Sequence, residues 1–145
     1  MIAEELSSAL KTLRVVKEMQ IAAPPDVVFE TLLEPHGPMK EMKMKLEPWV
    51  GGRWFRDLGN NTGHLWGHVQ VIKPPKVLEL VGPTMMSYPV ASHIQYRLTE
   101  QAGGTSLKFT HQAFGMIEEG LELNVSKGWG EMLDQIRMAA EKKRA

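Results

Sequence analysis

The segment from residue 121 to residue 140, LELNVSKGWGEMLDQIRMAA, decides the fold of this chain. Its large apolar residues recur at intervals of three and four, which is the spacing of one face of an α-helix. That stripe consists of Leu121, Val125, Trp129, Met132, Leu133, Ile136 and Ala140. Charged residues lie mostly on the other faces. The sequence therefore predicts a long amphipathic helix whose apolar side must be covered by the rest of the chain.

Strand signals dominate the residues before this helix. Between Leu13 and Ile21, apolar and polar residues alternate, which is typical of a half-buried strand. Further strands are predicted where β-forming residues end at clusters of glycine, proline or asparagine. They span residues 43–49, 53–58, 64–73, 76–82, 90–99 and 105–112. The short connections leave no room for parallel crossovers, so we expect antiparallel pairing.

Helical signals also occur near the N-terminus. Pro24, Pro25 and Asp26 are suited to a first helical turn, residues 27–33 supply an apolar face, and the prolines at 35 and 38 end the helix. A short helix at residues 3–11, within the first 12 residues, is a further expectation. The order strand, helix, strands, long helix predicts one α+β domain over residues 1–145, with a sheet of about six or seven strands covered by the C-terminal helix.

Two details of packing are predicted as well. On residues 64–71, Leu65, Val69 and Val71 are expected to point inward and Trp66 outward, where it would be available for a dimer contact. Two glycines, at 128 and 130, flank the tryptophan of the last helix. Because each costs a helix about 1 kcal/mol relative to alanine, they indicate close packing beside the indole ring.

The composition excludes several classes of protein. Seventeen basic residues balance seventeen acidic ones, so no net charge draws the chain toward nucleic acid or an anionic membrane. The chain has no cysteine, which rules out disulfides, thiolate nucleophiles and cysteine-based zinc sites. No signal peptide is recognisable, and no apolar run reaches the roughly 18 residues of a membrane helix. We therefore expect a cytoplasmic location without membrane insertion.

The five histidines are the first candidates for chemistry. His64 and His68 lie four residues apart on a predicted strand, which places their rings about 13 Å apart, too far for a shared metal ion. His93 and His111 lie on separate strands, and the sequence places no carboxylate beside either. The alternation of residues 107, 109 and 111 points His111 inward. It is either a hydrogen-bonded core residue or a polar contact for a ligand.

Catalytic motifs are absent from the sequence. No serine is flanked as a nucleophile elbow, and the paired glycines at 51–52 and 103–104 do not follow a phosphate-loop pattern. No catalytic residue, metal or cofactor is therefore predicted. A reaction would need a second titratable group beside His111, for which Glu79 and Asp57 are the candidates.

Five short motifs, taken in order, carry a resemblance to a known family. They are IAAPPDVVF at 21–29, VGGRW at 50–54, GHVQVIKPPKVL at 67–78, GGTSL at 103–107 with His111 and Phe114, and Gly128-Trp129 followed by Leu133. Through them the chain resembles the START-like (SRPBCC) superfamily. Within it, the chain is similar to activator homologues of the heat shock protein 90 ATPase and to polyketide cyclase-like proteins. Such proteins usually carry a tryptophan soon after the first helix, where this chain has Met39, Met42 and Met44.

The resemblance implies a helix-grip (START/Bet v-like) fold with a cavity between the sheet and the last helix. Ten methionines and four tryptophans supply large side chains, and methionine suits adaptable apolar sites. We expect a pocket of roughly a few hundred Å³. Its expected lining is Trp54, Met85, Tyr88, Tyr96, Phe109, His111, Phe114, Val125, Trp129 and Met132.

Three functions are compatible with this fold. The first is binding of a small hydrophobic ligand, such as a lipid, a polyketide or an aromatic metabolite. The second is a co-chaperone-like module that stimulates an ATPase, as the family name suggests. The third is a cyclase or hydrolase acting in the same cavity. A homodimer is a further expectation.

Overall fold

One antiparallel sheet of seven strands packs against a long helix in a computed structural model that describes residues 3–4 and 9–144. The strands are β1 (Lys11–Ile21), β2 (Met44–Leu46), β3 (Arg53–Gly59), β4 (Thr62–Lys73), β5 (Val77–Gly82), β6 (Val90–Gln101) and β7 (Gly104–Gly115). The helices are α1 (Pro25–Leu32), α2 (Pro38–Glu41) and α3 (Leu121–Arg144). Across the sheet the order is β1-β7-β6-β5-β4-β3-β2. The predicted α+β fold is confirmed.

The helix α3 lies over the concave face of the sheet with the predicted stripe turned inward. Its buried residues are Val125, Trp129, Met132, Leu133, Ile136 and Ala140. They join one core with the inward side chains of the strands, and the Trp129 ring lies 4.8 Å from the Phe109 ring of β7. Neither α3 nor any other described helix combines the length and the apolar character needed to cross a membrane.

Two regions differ from the predicted boundaries. The predicted strand at 43–49 is only three residues long, because the backbone N–H of Arg53 donates to the side chain of Glu47 (2.8 Å) and Pro48 has no N–H to offer a strand. The chain between α1 and β2 also forms the short helix α2, which the sequence pattern did not indicate. At the N-terminus, residues 5–8 of the helix predicted for 3–11 lie outside the described residues, and residues 3–4 have no regular structure. Residues 9–10 likewise have no regular structure, and Lys11 begins β1.

The prediction for the faces of β4 was wrong at Leu65, Trp66 and Val71; Val71 pairs with Glu79 on the convex face after a second register shift. The Trp66 side chain is buried, with 6% of its surface exposed, whereas Leu65 is 50% exposed. The cause is a β-bulge: Trp54 pairs with Gly67 and Phe55 pairs with Leu65, so Trp66 is an extra residue and the alternation shifts. Val69 points inward as predicted. Trp66 is therefore part of the core and not available for a dimer contact.

The interpretation of the two α3 glycines was also wrong. A Cβ atom added at Gly128 would meet nothing within 4 Å, and one at Gly130 would meet only the end of the flexible Lys17 side chain, at 3.5 Å. Gly67, in contrast, is packed closely against the neighbouring strand. A Cβ atom there would lie 2.4 Å from the carbonyl oxygen of Val81. Packing therefore demands glycine at positions in the sheet such as Gly67, and not at the two positions beside the indole.

Substitution of Gly128 by alanine is expected to stabilise the protein by about 0.5–1 kcal/mol, because alanine removes backbone entropy from the unfolded chain and meets no neighbour. Chemical denaturation followed by circular dichroism measures the change. The matched variant Gly67→Ala should lose about 1–3 kcal/mol, since the new methyl group overlaps a backbone carbonyl. A destabilising Gly128→Ala would show that the helix needs glycine there for another reason.

Candidate functional site

A small cavity lies where the three helices meet the concave face of the sheet. Its volume is about 40 Å³. The sheet contributes residues of β2, β3, β5 and β6, α3 contributes Met132 and Ile136, and the chain from the end of α1 into α2 supplies most of the remaining wall. The lining residues are Leu32, Leu33, Glu34, Pro35, His36, Met39, Met44, Lys45, Leu46, Trp54, Leu78, Leu80, Tyr96, Met132 and Ile136.

Three residues predicted for the site line this cavity, namely Trp54, Tyr96 and Met132. They come from β3, β6 and α3, so the fold brings together side chains that are far apart in sequence. Burial raises the pKa of Tyr96, which keeps the phenol protonated. Tyr96 can therefore act as a neutral hydrogen-bond donor in an otherwise largely apolar wall.

A cluster of aromatic rings occupies much of the remaining space under α3. The ring of Trp54 lies 5.1 Å from that of Trp66 and 6.4 Å from that of Trp129. Phe109 links this group to Tyr96, with ring centroids 5.1 Å apart. The rings fill volume that a ligand would need. This explains why the cavity is far smaller than the expected few hundred Å³.

His111 lies within this aromatic core and is fully buried. The indole Nε1–H of Trp129 donates to His111 Nδ1 at 2.9 Å, and His111 Nε2 lies 3.1 Å from the hydroxyl oxygen of Ser92. Because an indole N–H can only donate, Nδ1 must be the unprotonated nitrogen and Nε2 carries the proton. Burial lowers the pKa of His111 to about 4. The ring is therefore neutral and uses both nitrogens within the core.

The carboxylates considered as partners of His111 lie elsewhere. Glu79 accepts a hydrogen bond from His93 at 2.9 Å on the convex face of the sheet. That bond, together with amide donors from Gln95 and Gln70, lowers the pKa of Glu79. Asp57 accepts from the backbone N–H of Gly59 near the β3–β4 turn. The sequence places no carboxylate beside His93, because the β5–β6 register that joins Glu79 and His93 cannot be read from it.

The other predicted residues lie outside the cavity lining. Phe114 is on the convex face of β7 and 59% exposed, because even-numbered residues of β7 point away from α3. Met85 and Tyr88 lie in the β5–β6 connection, where Met85 is 37% exposed and Tyr88 has a buried hydroxyl without a hydrogen-bond partner. Val125 is buried in the first half of α3. None of these four predicted residues lines the cavity: Val125 is in the core, Tyr88 packs against the core, and Met85 and Phe114 are exposed.

Sequence reasoning missed the wall formed by the chain between α1 and β2. Met39 and Met44, which line the cavity, belong to the methionine-rich stretch that stands where the proteins it resembles usually carry a tryptophan. That departure was the available signal. The segment has neither helical nor strand periodicity over a useful length, so its position could not be inferred.

This wall is built on a short element. The helix α2 has four residues and is bounded by two residues with left-handed backbone conformation, Gly37 with φ of 53° and Lys43 with φ of 57°. Three nearby methionines, at 39, 42 and 44, provide unbranched side chains that can change shape at low cost. Of the cavity walls, the helix α2 takes no part in the strand ladders of the sheet.

Charged groups gather at the edge of the cavity next to α1. Glu34 lies 3.8 Å from His36 and also contacts Lys143 near the end of α3. The carbonyl oxygen of Thr31 lies 2.8 Å from His36 Nε2. Within the described part of the chain, no group of three or more histidine, aspartate or glutamate residues is arranged to hold a metal ion.

Comparisons with known proteins relate this geometry to a family. Residues 22–141 match the family model described as "Activator of Hsp90 ATPase homolog 1-like protein". The comparison with curated proteins gives no match.

Solved structures share the fold. Protein MLL2253 from Mesorhizobium loti is 22% identical, with 91% of this chain and 99% of that chain covered and a TM-score of 0.70. Protein CV1439 from Chromobacterium violaceum is 18% identical over 88% of this chain and 96% of that chain, with a TM-score of 0.68. The di-domain ARO/CYC StfQ from the steffimycin biosynthetic pathway is 13% identical, with a TM-score of 0.65. This chain spans about half of StfQ, since 91% of this chain aligns with 51% of that one.

Proposed function

The chain belongs to the Activator of Hsp90 ATPase homolog 1-like family, and on that premise we propose that it binds a small hydrophobic molecule between the sheet and α3. The observation that carries the proposal is the largely apolar cavity beneath α2, with the Tyr96 phenol in its wall. A few polar groups in an apolar concavity are typical of small-molecule sites. A lipid, a polyketide or an aromatic metabolite has the matching chemistry.

A bound ligand would need a larger cavity than the one in this structure. Small-molecule pockets usually measure about 300–1,000 Å³, against about 40 Å³ here. The movable wall is α2 with Met39 and the adjoining Met42, and its outward displacement would open the cavity without breaking a strand ladder. The Tyr96 phenol would then donate a hydrogen bond to a carbonyl or hydroxyl oxygen of the ligand, which fixes its orientation.

The proposal covers binding and assigns no reaction. Both nitrogens of His111 are engaged in the core, and the described residues around the cavity offer no activated nucleophile. The co-chaperone-like role and the cyclase or hydrolase role remain predictions of the resemblance, and no feature of residues 9–144 favours either. A co-chaperone-like protein would contact its partner through its surface, so that role would not require the cavity to open.

Filling the cavity is expected to weaken binding of an apolar probe. We propose Met39→Phe, which places a bulkier, stiffer side chain in the wall. Overpacking costs about 1–3 kcal/mol, so affinity for anilinonaphthalene sulfonate or decanoate should fall about tenfold or more. Fluorescence titration and the ligand-induced rise in melting temperature measure this effect.

Met116→Phe is the matched control, because Met116 is 42% exposed in the connection between β7 and α3 and is not part of the cavity lining. It should leave probe affinity unchanged. Native mass spectrometry of freshly purified protein should also reveal a bound apolar molecule that Met39→Phe lacks. Equal affinities in the two variants, or no probe binding by the native chain, would remove the basis of the proposal.

A further inference from the structure

The two edges of the sheet are built very differently. The β2 edge is three residues long, and its neighbour β3 pairs with β4 through two register shifts. The β1 edge is eleven residues long, contains no proline and pairs with β7 residue for residue from Lys11 to Ile21. Short strands and bulges discourage pairing with other chains, whereas a long regular edge offers unpaired N–H and C=O groups. Among the described residues, no strand pairs with the outer edge of β1.

We propose that β1 pairs antiparallel with β1 of a second copy of this chain. The two-fold axis passes through Val16, and the two sheets join into one continuous sheet. Val16 is the midpoint of the strand, so this register pairs all eleven residues of each copy. It is also an apolar residue on the convex face, 37% exposed. Two β-branched side chains directly opposite each other stabilise an antiparallel pair.

Charge complementarity supports this register. Full-length pairing about Val16 places Arg14 opposite Glu18 of the second copy, and the two-fold axis repeats the pair. Both side chains are exposed on the convex face, as Val16 is. Neither forms an ion pair with another described residue of its own chain. The interface thus satisfies two charges that the single chain leaves in solvent.

Neighbouring registers fit less well. An axis through Lys17, Glu18 or Arg14 places that residue opposite its own copy, and like charges directly opposite are destabilising. An axis through Val15 sets Arg14 opposite Val16 and leaves both charges without partners. Only the central register combines full length with opposite charges, so the sequence of β1 selects a second copy of itself as its partner.

Charge reversal tests the interface. Arg14→Glu and Glu18→Arg each create two like-charged pairs, so each should weaken dimerisation about tenfold or more. The double variant Arg14→Glu with Glu18→Arg restores both pairs and should restore the dimer. Sedimentation velocity over a range of protein concentrations measures the association. Arg97→Glu, the same change on the exposed face of β6, should leave association unchanged.

A cysteine placed on the axis tests the register independently, because the native chain has no cysteine. Val16→Cys should form a covalent dimer on mild oxidation, since opposite residues of an antiparallel pair lie within disulfide reach. Gln20→Cys should not, because it faces residue 12 of the second copy. A monomeric native chain at high concentration, loss of dimer in the double variant, or equal crosslinking of the two cysteine variants would overturn the proposal.

Discussion

Replacing Trp129 with alanine is expected to lower the free energy of unfolding by about 5 kcal/mol, the largest effect of any single substitution considered. Trp129 is 1% exposed, and its ring lies 4.8 Å from Phe109 and 5.6 Å from His111. Loss of a buried tryptophan leaves a cavity that costs about 3–5 kcal/mol. It also removes the indole N–H that donates to His111 Nδ1, and a buried unsatisfied acceptor costs about 1–3 kcal/mol more. Urea denaturation measures the change.

One further variant separates the cavity cost from the polar cost, and another serves as a control. Trp129→Phe keeps an aromatic ring but lacks the N–H, so it should show mainly the polar cost. Trp49→Ala is the matched control, because Trp49 lies in the β2–β3 connection and is 57% exposed. It should change stability by no more than about 1 kcal/mol. A loss in Trp129→Ala no greater than that in Trp49→Ala would mean that the aromatic cluster does not hold α3 to the sheet.

The importance of Trp129 could be predicted because it lies on the apolar stripe of a long amphipathic segment. Helical and strand periodicity report which side of an element is buried, and most inward residues were found from that pattern. Phe114 was predicted to line the pocket, but its even position in the β7 alternation puts it on the face opposite Phe109 and His111. The structure agrees with the alternation, since Phe114 is 59% exposed.

Other features depend on strand register, which a single sequence does not contain. Trp66 turns inward because one extra residue in β4 shifts the alternation. Glu79 meets His93, and Ser92 meets His111, because β6 pairs with β5 and β7 at particular offsets. The position of α2 likewise follows from packing against the finished sheet and α3. Hydrogen-bond partners and cavity walls are therefore consequences of the assembled fold, whereas the burial of individual side chains is largely local.

The neutral state of His111 predicts a specific loss of stability in acid. Burial lowers its pKa from 6.5 in the unfolded chain to about 4 in the folded chain. Between these values the unfolded chain binds a proton that the folded chain does not, so stability is complete above pH 6.5 and falls as the pH decreases toward 4. The total loss attributable to this residue is about 3 kcal/mol. Denaturation curves recorded across this pH range measure it.

His111→Gln should remove this pH dependence, whereas His64→Gln, an identical change at an exposed position of β4, should preserve it. Carboxylates with lowered pKa add their own acid sensitivity at lower pH, because their unfolded pKa is 4.5, so the two ranges are separable. Nuclear magnetic resonance of the native chain gives an independent reading if His111→Gln does not fold. The His111 ring signals should stay constant through pH 6.5 and change only near pH 4. A ring that titrates near 6.5 would contradict its role as the neutral acceptor from Trp129, since a protonated Nδ1 would face the indole N–H donor to donor.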